Sequence, residues 1–275
     1  MMHTMINVVP FNELHTRLGL SKSLTLPESS LAKPLTAWKM EEDDAPILRY
    51  LFRNGGIHRH LEFGTWQGIG VLYCLEETDA TVWTINLLEG EEQITGEWAY
   101  GEQFEDSSNL PVCSNKMEFH DDKSGTTVWH QTDALGFIGR YYRGKGFGSR
   151  VCQIYCDSRN WDTSHYPEGF FDSALIDGGH TEEIVASDTR KAMRLVRPGG
   201  LVLWHDFCPD PDVHARCASP RGVHRAISTS WPWLEHELQD AFWIKPSWLL
   251  VGIKRSGPDK RVGSARDLDA SEGGS

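Results

Sequence analysis

Two short stretches of the chain each place a carboxylate and an imidazole at the end of an apolar run. FFDSALIDGGH, residues 170–180, climbs to Asp177, Gly178, Gly179 and His180, and LVLWHDF, residues 201–207, ends on His205 and Asp206. A neutral imidazole near pH 7 can accept a proton, and carboxylates beside imidazoles can hold a divalent cation or act as a general base. If the two strand ends are neighbours, all four side chains share one site. Taken singly, each stretch also reads as a histidine packed on a sheet beside an acid that caps a helix.

Three other runs end in polar residues. LEFGTWQGIG (61–70) carries Glu62 just before Gly64, with Gly68 and Gly70 following. Such a turn lets a ligand approach the backbone, with the N–H groups of the next helix facing it. The glycine spacing is not G-x-G-x-x-G, which disfavours a nicotinamide dinucleotide. Glu62 would repel a pyrophosphate and suits a ligand carrying an ammonium group. TVWTINLLEGE (81–91) closes on Asn86, which can hydrogen-bond a ribose diol without the charge assistance of an acid, or cap its own turn. IYCDSRNW (154–161) offers Asp157 and Ser158, suited to an amino group and a ring nitrogen, or to a turn.

The elements that position these residues alternate along the chain. EEDDAPILRYLFRNGG reads as a helix with acids at its start and a Gly-Gly stop, followed by the strand HRHLEFG, the helix IGVLYCLEE and the strand ATVWTINLL. RVCQIYCD and FFDSALID are further strands. TEEIVASDTRKAMRLV is a helix, LVLWHDF a strand, and VHRAISTSWPWLEHEL a helix expected to break at Pro232. AFWIKP and SWLLVGIKR close the pattern as a hairpin. Alternation of this kind predicts a parallel sheet covered on both faces, with ligands at the strands' carboxyl ends. All five polar stretches fall at such ends. Asp188, on the helix after His180, reads as structural, paired with Arg190, Lys191 or another base.

Residues 1–35 read as an N-terminal extension, 36–255 as one domain with an insertion at about 89–130, and 256–275 as a disordered tail rich in Gly, Ser and charge. The 275 residues carry a net charge of −12, which disfavours nucleic acid as a partner. The one basic stretch, RYYRGKGFGSR (140–150), reads as a solvated loop. None of the six cysteines forms CxxC, and the chain opens without a signal peptide, so reduced thiols and a cytoplasmic location are expected. No apolar run reaches the roughly 18 residues that span a membrane.

Together, Glu62 to Gly68, Asn86, Asp157-Ser158 and the block FFDSALIDGGHTEEIVASDTRKAMRLVRPGGLVLWHDF resemble a class I S-adenosylmethionine-dependent methyltransferase. The resemblance spans about residues 45–255. It is closest to the small-molecule branch with an IDG-x-H…D…RPGG…HD signature, which includes macrocin O-methyltransferase and cephalosporin hydroxylase-like proteins. It implies an α/β, Rossmann-like doubly wound sheet of seven strands, mostly parallel with an antiparallel last strand. By resemblance, Glu62, Gly64 and Gly68 hold the methionine part of S-adenosyl-L-methionine, with Thr65 and Trp66 of the same turn beside them. Asn86 stands at the ribose position, Asp157 with Ser158 at the adenine-contacting position, and Asp177 counts among the cofactor contacts. Trp66 replaces a glycine common in this turn, and Asn86 replaces an acid.

The activity so implied is methyl transfer to a small-molecule acceptor, most naturally at a hydroxyl. His180 or His205 would serve as base, with Asp177 and Asp206 as metal ligands or base orienters. Metal-using relatives imply Asp177, His205 and Asp206 as ligands for Mg2+ or another divalent cation; Phe207 cannot ligate. The expected partners are the small-molecule acceptor and further copies of the chain in a homo-oligomer, with no nucleic acid and no membrane. Two readings stay open beside this one: a hydroxylase-like enzyme of the same fold with other chemistry, and a cofactor-binding accessory protein without catalysis.

Overall fold

A computed structural model of the chain describes residues 6–87, 117–121, 127–131 and 138–256. The predicted insertion lies mostly outside these residues, as does the predicted tail from residue 257. Inside it, β4 (Met117–Asp121) and β5 (Thr127–Gln131) form a separate antiparallel pair.

The main sheet assembles β1 (Asn7–Pro10), β2 (Arg59–Phe63), β3 (Thr81–Asn86), β6 (Val151–Tyr155), β7 (Phe171–Ile176), β8 (Val196–Trp204), β9 (Leu238–Lys245) and β10 (Leu250–Lys254). Their spatial order is β6-β3-β2-β7-β8-β10-β9-β1. β10 runs antiparallel to both neighbours, and the other pairings are parallel. The sheet therefore has eight strands rather than the expected seven. The eighth is β1, which extends the β9 edge from Asn7 opposite Phe242 to Pro10 opposite Lys245. Pro10 lacks an N–H, which an edge strand tolerates.

Both faces are covered, and the strands show it residue by residue. Leu175, Leu201 and Leu203 pack into a core with Ile47, Leu48, Leu51 and Phe52 of α3 (Ala45–Asn54) and with Val71, Leu72 and Leu75 of α4 (Ile69–Glu77). Ala174, Ile176, Val202 and Trp204 face the opposite core. There they meet Val185, Ala192 and Met193 of α6 (Glu182–Leu195) and Val223, Ile227 and Leu234 of α8 (Ala218–Glu237). Period-2 alternation in strands and i, i+3, i+4 spacing in helices build the two layers.

The smaller helices are α1 (Leu14–Arg17), α2 (Glu28–Leu31), α5 (Arg140–Gly144) and α7 (Pro211–Arg216). Ahead of α3, Met40–Asp44 forms a π turn. α8 runs unbroken through Pro232, contrary to the expected interruption. The hydrogen bond lost at Pro232 is offset by burial of Trp231 and Leu234 on the core side. Among the described residues, no helix is long and apolar enough to cross a membrane.

From β2 the chain winds outward through β3 to β6, then returns through β7 to β8. The order reverses between β2 and β7, and a crevice at that point opens over the strands' carboxyl ends.

Candidate active site

The crevice exists because β2 ends on glycine. Gly64 has φ 93°, and a Cβ there would overlap the Asp177 carbonyl at the end of β7. Only glycine lets the two strand ends close up this far. Trp66 and Asp206, at φ 43° and 56°, are the non-glycine residues held at positive φ among the described residues. Both line the same cavity, so local backbone strain concentrates here.

Glu62 sits below this turn, 1% exposed. Its Oε2 has no hydrogen-bond partner, and Gly70 makes room for it, since a Cβ there would lie 2.9 Å away. The nearest ring nitrogen, His60 Nε2, is 3.9 Å off. Burial pushes His60 down to about 3, so it is neutral and cannot balance the acid. Burial, and then the charge of Asp177, raise the Glu62 pKa well above the ordinary carboxylate value. The result is a buried acid that lacks a cation and lines an open cavity.

The two carboxylate–imidazole stretches meet, as their predicted adjacency requires. β7 and β8 pair in parallel with Ile176 opposite Trp204, so Asp177 and His205 leave the sheet side by side. His205 Nδ1 lies 3.0 Å from Asp177 Oδ1 and 3.5 Å from Asp206 Oδ2. Its other nitrogen, Nε2, lies 3.2 Å from Asp44 Oδ2. Burial opposes a charge on His205, but Asp177 and Asp206 outweigh it and hold its pKa well above the ordinary histidine value. His205 is therefore a charged imidazolium among three carboxylates. A ring protonated on both nitrogens offers no lone pair to a proton or a metal.

His180 occupies a different position. Its Nε2 lies 2.6 Å from Asp206 Oδ2. Burial works against the Asp206 charge, yet His180 and His205 pull its pKa far below the usual range. Asp177, His180 and Asp206 each offer a ligand atom, all within 4.8 Å of one another. Two carboxylate oxygens and one imidazole nitrogen suit a hard or borderline divalent cation. His205 stands behind this group.

The remaining sequence-predicted residues line up at the strand ends but are already occupied. Asn86 Oδ1 accepts from the Trp66 N–H at 2.9 Å, and its Nδ2 donates to the Leu87 carbonyl at 2.9 Å. It braces the strained Trp66 turn. Thr65 Oγ1 pairs with Thr84 Oγ1 at 2.7 Å and accepts from Gln153 Nε2 at 2.9 Å. The Asp157 carboxylate is gripped by Arg159, with Nη2 to Oδ2 at 2.7 Å, and caps the turn that starts at Ser158. That grip lowers its pKa. Gly68 has φ 82°, and a Cβ there would press on Tyr142 of α5.

Asp188, expected to pair with a base, makes no ion pair among the described residues; Ser158 and the charge of Lys191 only oppose the effect of its burial. Lys191 donates instead to the Ser158 and Arg159 carbonyls. Burial raises Asp188 to about 7. The basic stretch 140–150 is partly consumed: Arg150 donates to the carbonyls of Leu75 in the last turn of α4 and of Thr78 and Ala80 after it.

Asp44 is the site residue that sequence reasoning missed. It is fully buried and accepts from Trp38 Nε1 at 2.7 Å and the Trp248 N–H at 3.3 Å, besides facing His205. The run Glu41 to Asp44 was legible only as acids at a helix start.

Two cavities meet at this cluster. One, of about 270 Å³, is lined by Glu62, Gly64, Thr65, Trp66, Asp177 and His205. The other, of about 860 Å³, opens over the start of α8. His180, Asp206 and Trp248 line both. A molecule in each would meet at the His180–Asp206 pair.

A family model described as a methyltransferase domain matches residues 61–207. No curated protein matches the sequence. Among solved structures, the chain is similar to a methyltransferase of Podospora anserina, PaMTH1, bound to SAH, at 15% identity and a TM-score of 0.49, covering 90% of this chain and 98% of that one. The O-methyltransferase TomG of Streptomyces achromogenes, in complex with SAM and involved in tomaymycin synthesis, is similar at 13% identity and a TM-score of 0.43, covering 93% and 94%. An O-methyltransferase of Bacillus cereus in complex with SAH is similar at 15% identity and a TM-score of 0.43, covering 88% and 96%.

Proposed function

Because the chain belongs to the methyltransferase-domain family, we propose that it transfers a methyl group from S-adenosyl-L-methionine to a hydroxyl of a small molecule. The observation that carries this reading is the shared wall of the two cavities, where the one holding Glu62 and the larger one meet at His180 and Asp206. The donor fits the smaller side. Glu62 supplies a buried acid whose unpartnered Oε2 an ammonium group would satisfy. The start of α4, which has no side-chain cap and whose Ile69 and Gly70 line the smaller cavity, offers helix N–H groups to a carboxylate. When bound, S-adenosyl-L-methionine supplies an electrophilic methyl group beside the His180–Asp206 pair.

The acceptor hydroxyl approaches from the larger cavity. Its proton passes to the Nδ1 lone pair of His180, whose Nε2 donates to Asp206 Oδ2 at 2.6 Å, so the charge formed on the ring is stabilised by the carboxylate. His205 does not take the proton. It fixes Asp177 and Asp206 by charge and is itself anchored by Asp44. Holding acceptor and donor in line is the chief contribution such a site makes.

A second reading rests on the Asp177–His180–Asp206 group. These residues would hold a divalent cation, which lowers the acceptor hydroxyl's pKa. The two roles exclude each other at the His180 nitrogen facing the cation, since a ligating lone pair cannot accept a proton.

Thermal-shift titration with S-adenosylmethionine, S-adenosylhomocysteine and NAD tests the donor. Stabilisation by the first two is expected; stabilisation by NAD alone would overturn the reading. A protein that binds the cofactor yet methylates no acceptor in a hydroxylated panel would be the accessory protein instead.

A further inference from the structure

The larger cavity carries a charge pattern that its position beside the reacting pair makes meaningful. Arg216 ends α7, and Arg221 and Arg225 stand one turn apart on α8, so their spacing puts both on one helix face. All three line the cavity that also holds His180 and Asp206. They do so in a chain of net charge −12, where acids outnumber bases by 39 to 27.

The acids on this wall are already engaged. Asp206 is paired with His180 and His205. Glu182 accepts from Thr229 at 2.7 Å and lies 3.5 Å from Arg225. Arg221 spends one N–H on the His214 carbonyl at 3.2 Å and meets no acid within salt-bridge distance among the described residues. Arg216, four residues after Asp212 on α7, makes no ion pair among the described residues. The first turn of the 20-residue α8 also lines the cavity, and Cys217 gives it no side-chain cap. Two guanidinium groups without an ion-pair partner among the described residues and a third shared with Glu182 thus converge on one space.

Resting on the methyl-transfer reading, we propose that the acceptor carries an oxyanion, a carboxylate or a phosphate, bound by Arg216 and Arg221 while its hydroxyl reaches the His180–Asp206 pair. Planar guanidinium groups match the two oxygens of such groups bidentately. Arg225 tunes the rim, held back by Glu182. A neutral acceptor would leave both arginines without the partner this wall is built to meet.

The test uses the full chain loaded with S-adenosylhomocysteine and reads binding by calorimetry. Pyrophosphate and citrate are the probes, glycerol is the uncharged control, and the probe that binds separates phosphate from carboxylate. Saturable binding of one probe is expected, weakened about tenfold or more in R216A/R221A, partly retained in R216K/R221K and unchanged in R190A, an exposed arginine outside the cavity. Absence of saturable binding, or binding that R216A/R221A leaves intact, would overturn the proposal. A methyl-transfer arm compares hydroxy acids with their methyl esters. The acids should lead by about tenfold in kcat/KM, a preference carried by KM and lost in R216A/R221A. Equal turnover of the esters would also overturn it. S-adenosylhomocysteine binding in the same titrations reads the donor separately. Its failure would sink the methyl-transfer reading while the oxyanion result stands.

Discussion

His205 Nε2 stands 3.2 Å from Asp44 Oδ2, so the imidazole at the end of β8 is held from behind by an acid contributed by the turn ahead of α3. Asp44 is fully buried, and burial raises its pKa while His205 pulls against that rise. The pair links the N-terminal part of the chain to the reacting cluster. It also separates the two histidines: one is locked between carboxylates, and the other faces both cavities.

Replacing Asp44 by Asn turns an acceptor into a donor facing the His205 N–H. Breaking one side of a buried charge pair typically costs about 3–5 kcal/mol. D44N is expected to lose stability on that scale in urea denaturation. Whatever folded protein remains should show a lower kcat with little change in KM for either substrate, because Asp44 touches neither cavity's contents.

Asp177 faces the crevice with its side chain 15% exposed, so its removal should spare the fold. D177N keeps shape but removes a charge beside His205 and one candidate ligand. Methyl transfer is expected to fall about hundredfold, on the scale of losing one preorganised electrostatic group. Circular dichroism and Tm should stay near wild type. Near-normal turnover in D177N would remove Asp177 from both readings of the site.

Chelation decides between those readings. If the His180–Asp206 pair is the base, EDTA leaves the rate unchanged and H180A abolishes most of it. If Asp177, His180 and Asp206 hold a cation, EDTA stops the reaction and Mg2+ or Mn2+ restores it. D206N removes a ligand in one case and the imidazolium's partner in the other, so it is inactive in both and does not discriminate.

The contrast between Asp177 and Asp44 shows what the sequence exposes. Alternating strands and helices locate strand ends, and strand ends locate Glu62, Asn86, Asp157, Asp177 and His205-Asp206. Their convergence follows from sheet order, which the parallel pairing of β2, β7 and β8 supplies. Side-chain commitments are set by tertiary contacts that no local pattern records. Asn86 is spent on Trp66, Asp157 on Arg159, and Asp44 reaches His205 across 161 residues of sequence. β1 was hidden for the same reason: four residues pair with β9 more than 230 positions away. The arginines of α7 and α8 gain meaning only from the cavity they face.

Glu62 predicts opposite effects on binding and stability. Its pKa is raised by burial, so its contribution to stability is present at low pH and is lost as pH rises through the folded-state value. E62Q removes that penalty. Without ligand at pH 8 it is expected to be more stable than wild type in urea denaturation. It should also bind S-adenosylhomocysteine about tenfold more weakly or worse, since a charge-assisted bond is worth about 1.5–3 kcal/mol. Tighter binding in E62Q would remove the ammonium contact.

Asp188 offers the cleanest pH test, because it lies on α6 outside both cavities. Its folded pKa is about 7, raised by burial from the ordinary aspartate value of 3.8. Between those values the folded protein binds a proton that the unfolded chain releases, so stability falls as pH rises from about 4 through about 7 and then levels off. D188N cannot titrate and should flatten this slope. The two proteins should match near pH 4, and D188N should be more stable by up to a few kcal/mol at pH 8. Denaturant melts across pH 4 to 8 measure the difference. Parallel curves would mean that Asp188 is charged at neutral pH and balanced by Ser158 and Lys191, whose pull on it opposes the effect of burial.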